Sequence, residues 1–141
     1  MASIMMETVI EADAAEVWSV IGDFEQGPPR IAPGFVIGTE LVADDVRTVT
    51  FANGDVVDEL LVSLDHEAQR IVWAVTGGTV RPRHDNASFQ VVPKGERRSR
   101  LVWIRDVLPD ELAPAMAANM ADGLAVIREA LSARPDPGDT P

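Results

Sequence analysis

Residues 56–78, VVDELLVSLDHEAQRIVWAVTGG, contain two strand-length apolar runs on either side of a polar turn. The runs Val56–Leu64 and Ile71–Thr76 are rich in β-branched residues, and the segment Asp65–Gln69 between them is polar. This pattern predicts a β-hairpin, because β-branched side chains favour strands and short polar stretches favour turns. Gly77-Gly78 then predicts a further turn.

The same alternation of strands and turns extends on both sides of this hairpin. Asn53-Gly54 precedes it, and this dipeptide is typical of a tight hairpin turn because both residues tolerate positive φ. Further along, Pro93–Glu96 predicts another hairpin. The predicted strands are Ile4–Ile10, Val36–Val42, Val46–Phe51, Val56–Leu64, Ile71–Thr76, His84–Val92 and Arg100–Val107. The last six follow one another without a helix, which predicts an antiparallel meander.

Two helical regions flank these strands. Asp13 lies three residues before Glu16, a spacing that predicts a helix start with Asp in the capping position. The Pro- and Gly-rich residues 27–34 then predict a broken helical turn and a loop. Near the end of the chain, apolar residues recur every three or four positions: Leu112, Met116, Met120, Leu124, Ile127 and Leu131. We therefore expect an α+β fold in which one long helix covers the apolar face of a sheet.

Length and composition indicate one compact domain. The chain has 141 residues, 46% of them hydrophobic, which is enough to form a sizeable core. We expect a single ligand-binding domain over residues 1–133 and a flexible tail over residues 134–141, because the tail has no apolar residue to pack.

Charge and motif content disfavour several classes of protein. The net charge is −11, with a pI near 4.4, which disfavours nucleic-acid binding. The absence of cysteine excludes thiolate nucleophiles and thiolate metal sites. His66 begins HEAQR without a second histidine nearby, and no phosphate-binding glycine motif occurs, so we expect no metal and no cofactor. No apolar run is long enough for a membrane span, and Glu7 and Glu11 lie where a signal peptide is basic, so we expect a cytoplasmic protein with no membrane partner.

The order of these elements, with four local motifs, resembles the START/Bet v-type helix-grip superfamily (SRPBCC) over about residues 3–133. The motifs are DAAEVWSVIGDF at 13–24, RIAPG at 30–34, DELLVSLDHEAQRIVWAV at 58–75 and WIRDVLP at 103–109. In particular the chain resembles bacterial polyketide cyclase/dehydrase-like members. The resemblance implies a curved seven-stranded antiparallel sheet wrapped around the long C-terminal helix, with short helices after strand 1 and a pocket between sheet and helix.

A second resemblance concerns the pocket residues. The segment 59–81 is similar to the corresponding part of the plant abscisic acid receptors, which implies that Glu59 faces the cavity and that Asp85 takes a pocket position usually held by Tyr. It also implies that Trp73 and Val75 line the pocket, that Met120 and Leu124 close its floor, and that residues 51–55 and 77–82 form a mobile gate and the loop facing it. Two departures stand out: Ile31-Ala32 replaces an aromatic–His pair of many bacterial relatives, and His84-Asp85-Asn86 replaces the usual Asn-Tyr.

Strand alternation independently indicates which side chains share a face. Asp85, Ala87 and Phe89 lie on one face of the sixth strand, so the apolar members carry Asp85 inward. On the last strand, Val102, Ile104 and Asp106 alternate with Leu101, Trp103 and Arg105, and periodicity does not choose between these sets. A basic stretch from Arg81 to Arg105, with seven basic and two acidic residues, admits an anionic ligand entering beside Arg81 and Arg83.

From these observations we predict a pocket protein for a hydrophobic, polyketide-like or aromatic small molecule. Glu59 and Asp85 are the candidate acid/base residues, because burial and like-charge proximity raise a carboxyl pKa toward neutrality. The predicted substrate-binding residues are Trp73, Val75, Arg81, Phe89, Ile104, Asp106, Met120 and Leu124.

Three readings of this pocket stay open at this point: a cyclase- or dehydratase-type lyase or isomerase, a non-catalytic carrier of a hydrophobic ligand, and an adaptor that uses the fold as a scaffold. The carboxylates could alternatively anchor a ligand. They could also be purely structural, with Glu59 paired to Arg81 or Arg83 and Asp85 capping a turn. A homodimer is a further possibility.

Overall fold

A computed structural model describes residues 1–132 of the chain. The predicted tail at 134–141 lies outside these residues. The elements in chain order are β1 (Ala2–Ile10), α1 (Ala14–Ile21), α2 (Gly27–Ile31), β2 (Val36–Ala43), β3 (Val46–Phe51), β4 (Val56–Asp65), β5 (Arg70–Gly78), β6 (His84–Pro93), β7 (Ser99–Leu108), a 3₁₀ turn (Asp110–Leu112) and α3 (Ala113–Leu131). Each predicted strand is present, and the predicted bounds differ from these by two residues at most.

Within the described residues the strands form one antiparallel sheet in the order β1-β7-β6-β5-β4-β3-β2. Strands β2 to β7 are a meander, and β1 returns to pair with β7 over nine residues without a register shift. The sheet curves around α3, which packs against β1 on the concave side. The predicted helix-grip architecture is therefore confirmed.

Irregular register helps the sheet to curve. The β2–β3 and β4–β5 ladders each contain two register shifts, and such bulges bend a strand and increase its local twist. One shift lies between Asp58 and Glu59, so the strand is irregular where it carries a candidate catalytic side chain.

The core lies between the concave face of the sheet and the helices. Ile10, Ile71, Leu101 and Met120 have at most 1% of their surface exposed. On β1 the alternation is direct: Ile4 and Met6 pack against this core, whereas Met5 is exposed. No helix in the described part of the chain is long and apolar enough to cross a membrane.

The first helix starts where the sequence predicts, but its cap differs. Asp13 occupies the N-cap of α1 and its side chain makes no capping hydrogen bond. Its Oδ1 instead accepts the backbone N–H of Arg97 at 2.7 Å, in the β6–β7 turn where Arg97 has φ of 57°. The predicted helix start with Asp13 in the cap position is confirmed, but its carboxylate binds a neighbouring turn instead of the first turn of α1. Trp18 is buried, and its Nε1 donates to Nδ1 of His66 at 3.1 Å.

Candidate functional site

A cavity of about 430 Å³ lies between the concave face of the sheet, α2 and α3. Most of its wall is apolar or aromatic. The lining residues are Pro28, Ile31, Ala32, Phe35, Val36, Arg47, Val49, Phe51, Asn53, Asp55, Val57, Glu59, Trp73, Val75, Val80, Asp85, Phe89, Trp103, Arg105, Leu112, Ala115, Met116, Asn119, Gly123 and Ile127. Five charged side chains are in this set, and four of them form two buried ion pairs.

The first pair joins Arg47 of β3 to Glu59 of β4. The two residues are direct cross-strand partners, and their side chains are only 7% and 8% exposed. Nε of Arg47 donates to Oε1 of Glu59 at 2.9 Å, and Nη2 lies 2.9 Å from the same oxygen. Arg47 is also fixed from behind, because Nη1 donates to the carbonyl of Phe24 at 2.8 Å and the guanidinium lies 4.3 Å from the centre of the Phe24 ring. Arg47 is therefore held in place, whereas Glu59 uses only one of its two carboxylate oxygens in the pair.

The second pair joins Asp85 of β6 to Arg105 of β7. Nε and Nη2 of Arg105 donate to Oδ1 and Oδ2 of Asp85 at 2.7 and 2.6 Å. The two residues are diagonal neighbours, since Arg105 lies opposite Ala87 in the register. The Asp85 side chain is 1% exposed, whereas that of Arg105 is 17% exposed. This bidentate geometry uses both oxygens of the carboxylate.

The two pairs influence one another electrically. Burial raises the pKa of Glu59 above its ordinary value of 4.5, because the interior solvates a carboxylate poorly. The charge and hydrogen bond of Arg47 oppose this rise in pKa, as does the charge of Arg105, whereas the charge of Asp85 adds to it. Glu59 therefore accepts a proton more readily than an exposed glutamate does.

Three aromatic rings form a continuous wall beside these charges. The ring centres of Trp73 and Phe89, and of Phe89 and Trp103, are each 5.0 Å apart, with tilted planes. Nε1 of Trp103 is buried and has no hydrogen-bond partner among the described residues. A buried donor without a partner costs about 1–3 kcal/mol, so a ligand acceptor that reached it would be stabilised.

Two neighbouring loops contribute to the wall of the cavity. Asn53 and Asp55 come from the β3–β4 turn, and Val80 comes from the β5–β6 loop. Thr79 joins the two segments: its N–H donates to the carbonyl of Val56 at 2.8 Å, and its Oγ1 accepts the N–H of Val56 at 3.0 Å. Both loops therefore contribute lining residues, and their action as a gate stays a prediction.

All five site residues predicted on β4, β5 and β6 lie in the cavity wall, and their contact with a ligand stays a prediction. Glu59, Asp85, Trp73, Val75 and Phe89 all line the cavity. Their shared feature is a position on strands whose inward face is unambiguous in the sequence pattern.

The predictions for β7 are wrong. Trp103 and Arg105 take the inner face, so Ile104 and Asp106 lie on the outer face. Ile104 is 36% exposed, and Asp106 accepts a hydrogen bond from the hydroxyl of Ser3. Both alternating sets on this strand contain an apolar and a charged residue, so the choice depends on which side the helix covers.

Three further residues predicted to contact substrate do not line the cavity. Arg81 is exposed in the β5–β6 loop, where its Nε donates to the carbonyl of Gly78. Met120 is fully buried and Leu124 packs against the core. The cavity is lined instead by Leu112 of the 3₁₀ turn and by a neighbouring stripe of α3: Ala115, Met116, Asn119, Gly123 and Ile127. The sequence prediction placed the centre of the apolar stripe, Met120 and Leu124, at the cavity. In the structure that centre packs into the core, and residues beside it line the cavity.

The alternative in which the carboxylates are purely structural named other partners for them. Glu59 pairs with Arg47 rather than with Arg81 or Arg83, and Asp85 pairs with Arg105 rather than capping a turn. Arg47 was missed, although it shares a face of β3 with Val49 and Phe51, and that alternation was the available signal. Over residues 1–132, no group of three or more His, Cys, Asp or Glu side chains is arranged to hold a metal ion.

Several solved structures share this fold. An uncharacterised protein from Bacillus thuringiensis superposes with a TM-score of 0.82 at 18% identity, covering 92% of this chain and 98% of its own. A START superfamily protein from Mycobacterium smegmatis gives 0.70 at 19% identity, with 92% and 99% coverage. The Zhui aromatase/cyclase from Streptomyces gives 0.74 at 19% identity, with 92% and 93% coverage. At these identities the likeness shows the fold.

The sequence itself matches one family and no curated protein. The model of a family described as "Polyketide cyclase / dehydrase and lipid transport" matches residues 1–132. No curated protein matches the chain in sequence.

Proposed function

The chain belongs to the polyketide cyclase/dehydrase and lipid transport family, and from this premise we propose that its cavity binds a hydrophobic, polyketide-like or aromatic small molecule and that Glu59 exchanges protons with it. The reaction class is that of a cyclase or dehydratase, hence a lyase or isomerase. A cytoplasmic location and a homodimer remain predictions from the sequence.

One observation carries this proposal: a carboxyl group with a raised pKa faces an apolar cavity of ligand size. The volume of about 430 Å³ lies within the range of small-molecule sites, about 300–1,000 Å³. The aromatic wall of Trp73, Phe89 and Trp103 offers flat surfaces to a planar substrate. The raised pKa of Glu59 makes its carboxylate a stronger base than an exposed one.

The proposed chemistry starts with proton removal from a carbon next to a substrate carbonyl. The C–H bond breaks, its electron pair moves to form an enolate, and the proton goes to Glu59. Arg47 then loses its counter-charge and stabilises the enolate oxygen in place of Glu59. When the enolate carbon attacks a second carbonyl of the same molecule, a C–C bond forms and Glu59 returns its proton to the new alkoxide. Loss of that hydroxyl with a neighbouring hydrogen releases water.

Asp85 receives a different role in this proposal. Both of its oxygens are occupied by Arg105, which supports a positioning role rather than proton transfer. It keeps the guanidinium of Arg105 at the cavity wall, and Arg105 lowers the cost of negative charge on Glu59.

A non-catalytic carrier is the second candidate function. It is favoured by the observation that Glu59 and Asp85 are both already ion-paired. In a carrier, these ion pairs would only neutralise the buried charges of the cavity wall around a bound molecule. In that case the ligand would leave the cavity chemically unchanged.

The first experiment identifies the molecule that co-purifies with the chain by native mass spectrometry, and then tests it for turnover. We expect Glu59→Gln to lower turnover by about 10²–10⁴-fold and to retain binding of an uncharged substrate. Asp58→Asn is the matched control, because Asp58 precedes Glu59 on β4 and does not line the cavity, its Oδ1 accepting from Thr48. Full activity in E59Q contradicts the acid/base role, and release of an unaltered ligand by the wild-type protein favours the carrier.

A further inference from the structure

We infer that Arg47 binds an anionic group of the ligand, such as a carboxylate, and that Glu59 takes up one proton as this anion binds. The inference rests on the ligand-binding part of the proposed function, because it concerns the same cavity. With an anion on Arg47, Glu59 holds a proton and donates rather than removes one, so this state is distinct from the one in which the Glu59 carboxylate starts the reaction. The inference adds the charge of the ligand and a coupling between ligand binding and protonation.

The position of Arg47 is the first argument. Its guanidinium lies over the Phe24 ring and 5.6 Å from the centre of the Trp73 ring, and Nη1 is held by the Phe24 carbonyl. Since the side chain is only 7% exposed, it cannot turn toward water when its partner becomes neutral. A buried guanidinium without a counter-charge is costly, so Arg47 requires a negative charge at its Nε–Nη2 edge in every state of the cavity.

The geometry of the existing pair is the second argument. The Nε–Nη2 edge of a guanidinium fits a carboxylate with two parallel hydrogen bonds. Asp85 uses the corresponding edge of Arg105 in this way. Glu59 instead brings only Oε1 to that edge of Arg47, with both nitrogens 2.9 Å away. A ligand carboxylate can therefore approach the same edge from the cavity side.

The neighbouring charges determine whether Glu59 stays ionised when a ligand carboxylate binds to Arg47. Asp85 and Arg105 face Glu59 from β6 and β7, and Asp55 lies on the β3–β4 turn. From α2 and α3, the described lining residues include no titratable side chain. A ligand anion at Arg47 therefore places two carboxylates on one cation, and the repulsion between them favours protonation of one of the two. Proton uptake by Glu59 removes the conflict, and burial already raises the pKa of this group.

Arg47 and Arg105 then have two negatively charged partners both before and after the ligand binds. In the free cavity, Arg47 and Arg105 are neutralised by Glu59 and Asp85. In the complex, the ligand carboxylate takes over the negative charge of Glu59, which is now protonated. Arg81, where the sequence places an entry route for an anion, lies in the β5–β6 loop and does not line the cavity. The anion therefore binds inside the cavity rather than at the exposed arginines.

Isothermal titration calorimetry with β-naphthoate tests the inference. This probe is planar, fits the aromatic wall and remains ionised above about pH 5.5, since aryl carboxyl groups titrate near ordinary carboxyl values of about 4. Titration in two buffers of different protonation enthalpy reports the number of protons exchanged. We expect uptake of about one proton, with the affinity falling by up to about tenfold for each unit that the pH rises while Glu59 is ionised in the free protein.

Matched probes and variants locate the effect. β-Naphthamide has the same shape without the charge, and we expect its affinity not to vary with pH. E59Q should bind β-naphthoate more tightly than the wild type at high pH and without proton uptake. The double variant E59Q/R47M, in which the pair is removed together, should lose β-naphthoate and keep β-naphthamide. D58N should match the wild type.

Three results would overturn the inference: β-naphthoate binding to the wild type without proton uptake, the same pH dependence in E59Q, or no binding of β-naphthoate to either protein. The wild-type proton count needs no variant, so it decides the matter even if E59Q folds poorly. If β-naphthamide binds in any of these cases, the proposed ligand cavity survives. The proposed enzymatic function is judged separately, by turnover of the co-purified molecule.

Discussion

The Asp85–Arg105 pair offers a stability prediction that follows from the burial of its two members. We consider Arg105→Met, Asp85→Ala and the double variant. Arg105→Met leaves the Asp85 carboxylate, 1% exposed, without either of its two donors. Asp85→Ala leaves a guanidinium that is 17% exposed and faces a cavity that water can enter.

The expected magnitudes differ between these variants for that reason. Leaving one partner of a buried pair uncompensated costs about 3–5 kcal/mol, so we expect Arg105→Met to lower the free energy of unfolding by about 4 kcal/mol. Asp85→Ala should cost about 2 kcal/mol, near the value of charged hydrogen bonds to a group that water can partly solvate. The double variant removes both charges, and we expect it to cost less than Arg105→Met alone.

Urea unfolding followed by tryptophan fluorescence and by circular dichroism provides the measurement. At neutral pH the loss in Arg105→Met corresponds to a fall in Tm of about 13 °C for a chain of this size. Glu7→Gln serves as a control, because Glu7 forms an exposed pair with Arg100 at 3.8 Å, and removing it should cost under about 1 kcal/mol.

Two results would refute this reasoning. The first is a double variant whose loss equals the sum of the single losses, since the two side chains would then be energetically independent. The second is a smaller loss for Arg105→Met than for Asp85→Ala, since the order follows directly from which charge is the more deeply buried.

Three other perturbations have defined outcomes. The pKa of Glu59 is raised in the folded state, so the folded protein holds the proton more tightly than the unfolded chain does. The free energy of unfolding should therefore fall as the pH rises from about 4.5 through the raised pKa. Urea titrations across that pH range measure this fall, and E59Q should lack it. Gly78→Ala should cost at least about 2 kcal/mol, because Gly78 has φ of 114° and an added Cβ would lie 2.1 Å from the Val56 carbonyl oxygen; a thermal melt matching the wild type would contradict this. Asp13→Ala should cost about 1 kcal/mol by losing the bond to the Arg97 N–H, whereas Asp13→Asn should retain most of it, and equal urea midpoints for the two variants would contradict the assignment.

Much of the fold was predictable because its signals are local. Asn53-Gly54, Pro93–Glu96 and the polar residues 65–69 each separate two β-rich runs, and the strands end at these turns in the structure. The inward position of Glu59 and Asp85 was predictable for a related reason. Each shares its face with apolar residues, and alternation moves the whole set to one side of the sheet.

The residues that the sequence placed wrongly are those whose local pattern is symmetrical. On β7 both faces carry an apolar and a charged side chain, and only the position of α3 makes the Trp103–Arg105 face concave. On α3 the apolar stripe is wider than the cavity, so packing against β1 decides that Gly123 faces the ligand space and Met120 the core.

The sequence by itself determined the order of the elements, the helix-grip fold and the presence of two carboxylates on an apolar surface. The tertiary structure decided which cations those carboxylates meet. Arg47 lies 12 residues before Glu59 and Arg105 lies 20 residues after Asp85 in the sequence. Only strand register and sheet curvature bring the members of each pair together in space. An ion pair needs its atoms within a few ångströms, whereas periodicity fixes only the face on which a side chain lies. The arrangement of charges in the cavity therefore depends on strand register, and a one-residue slip would separate both ion pairs.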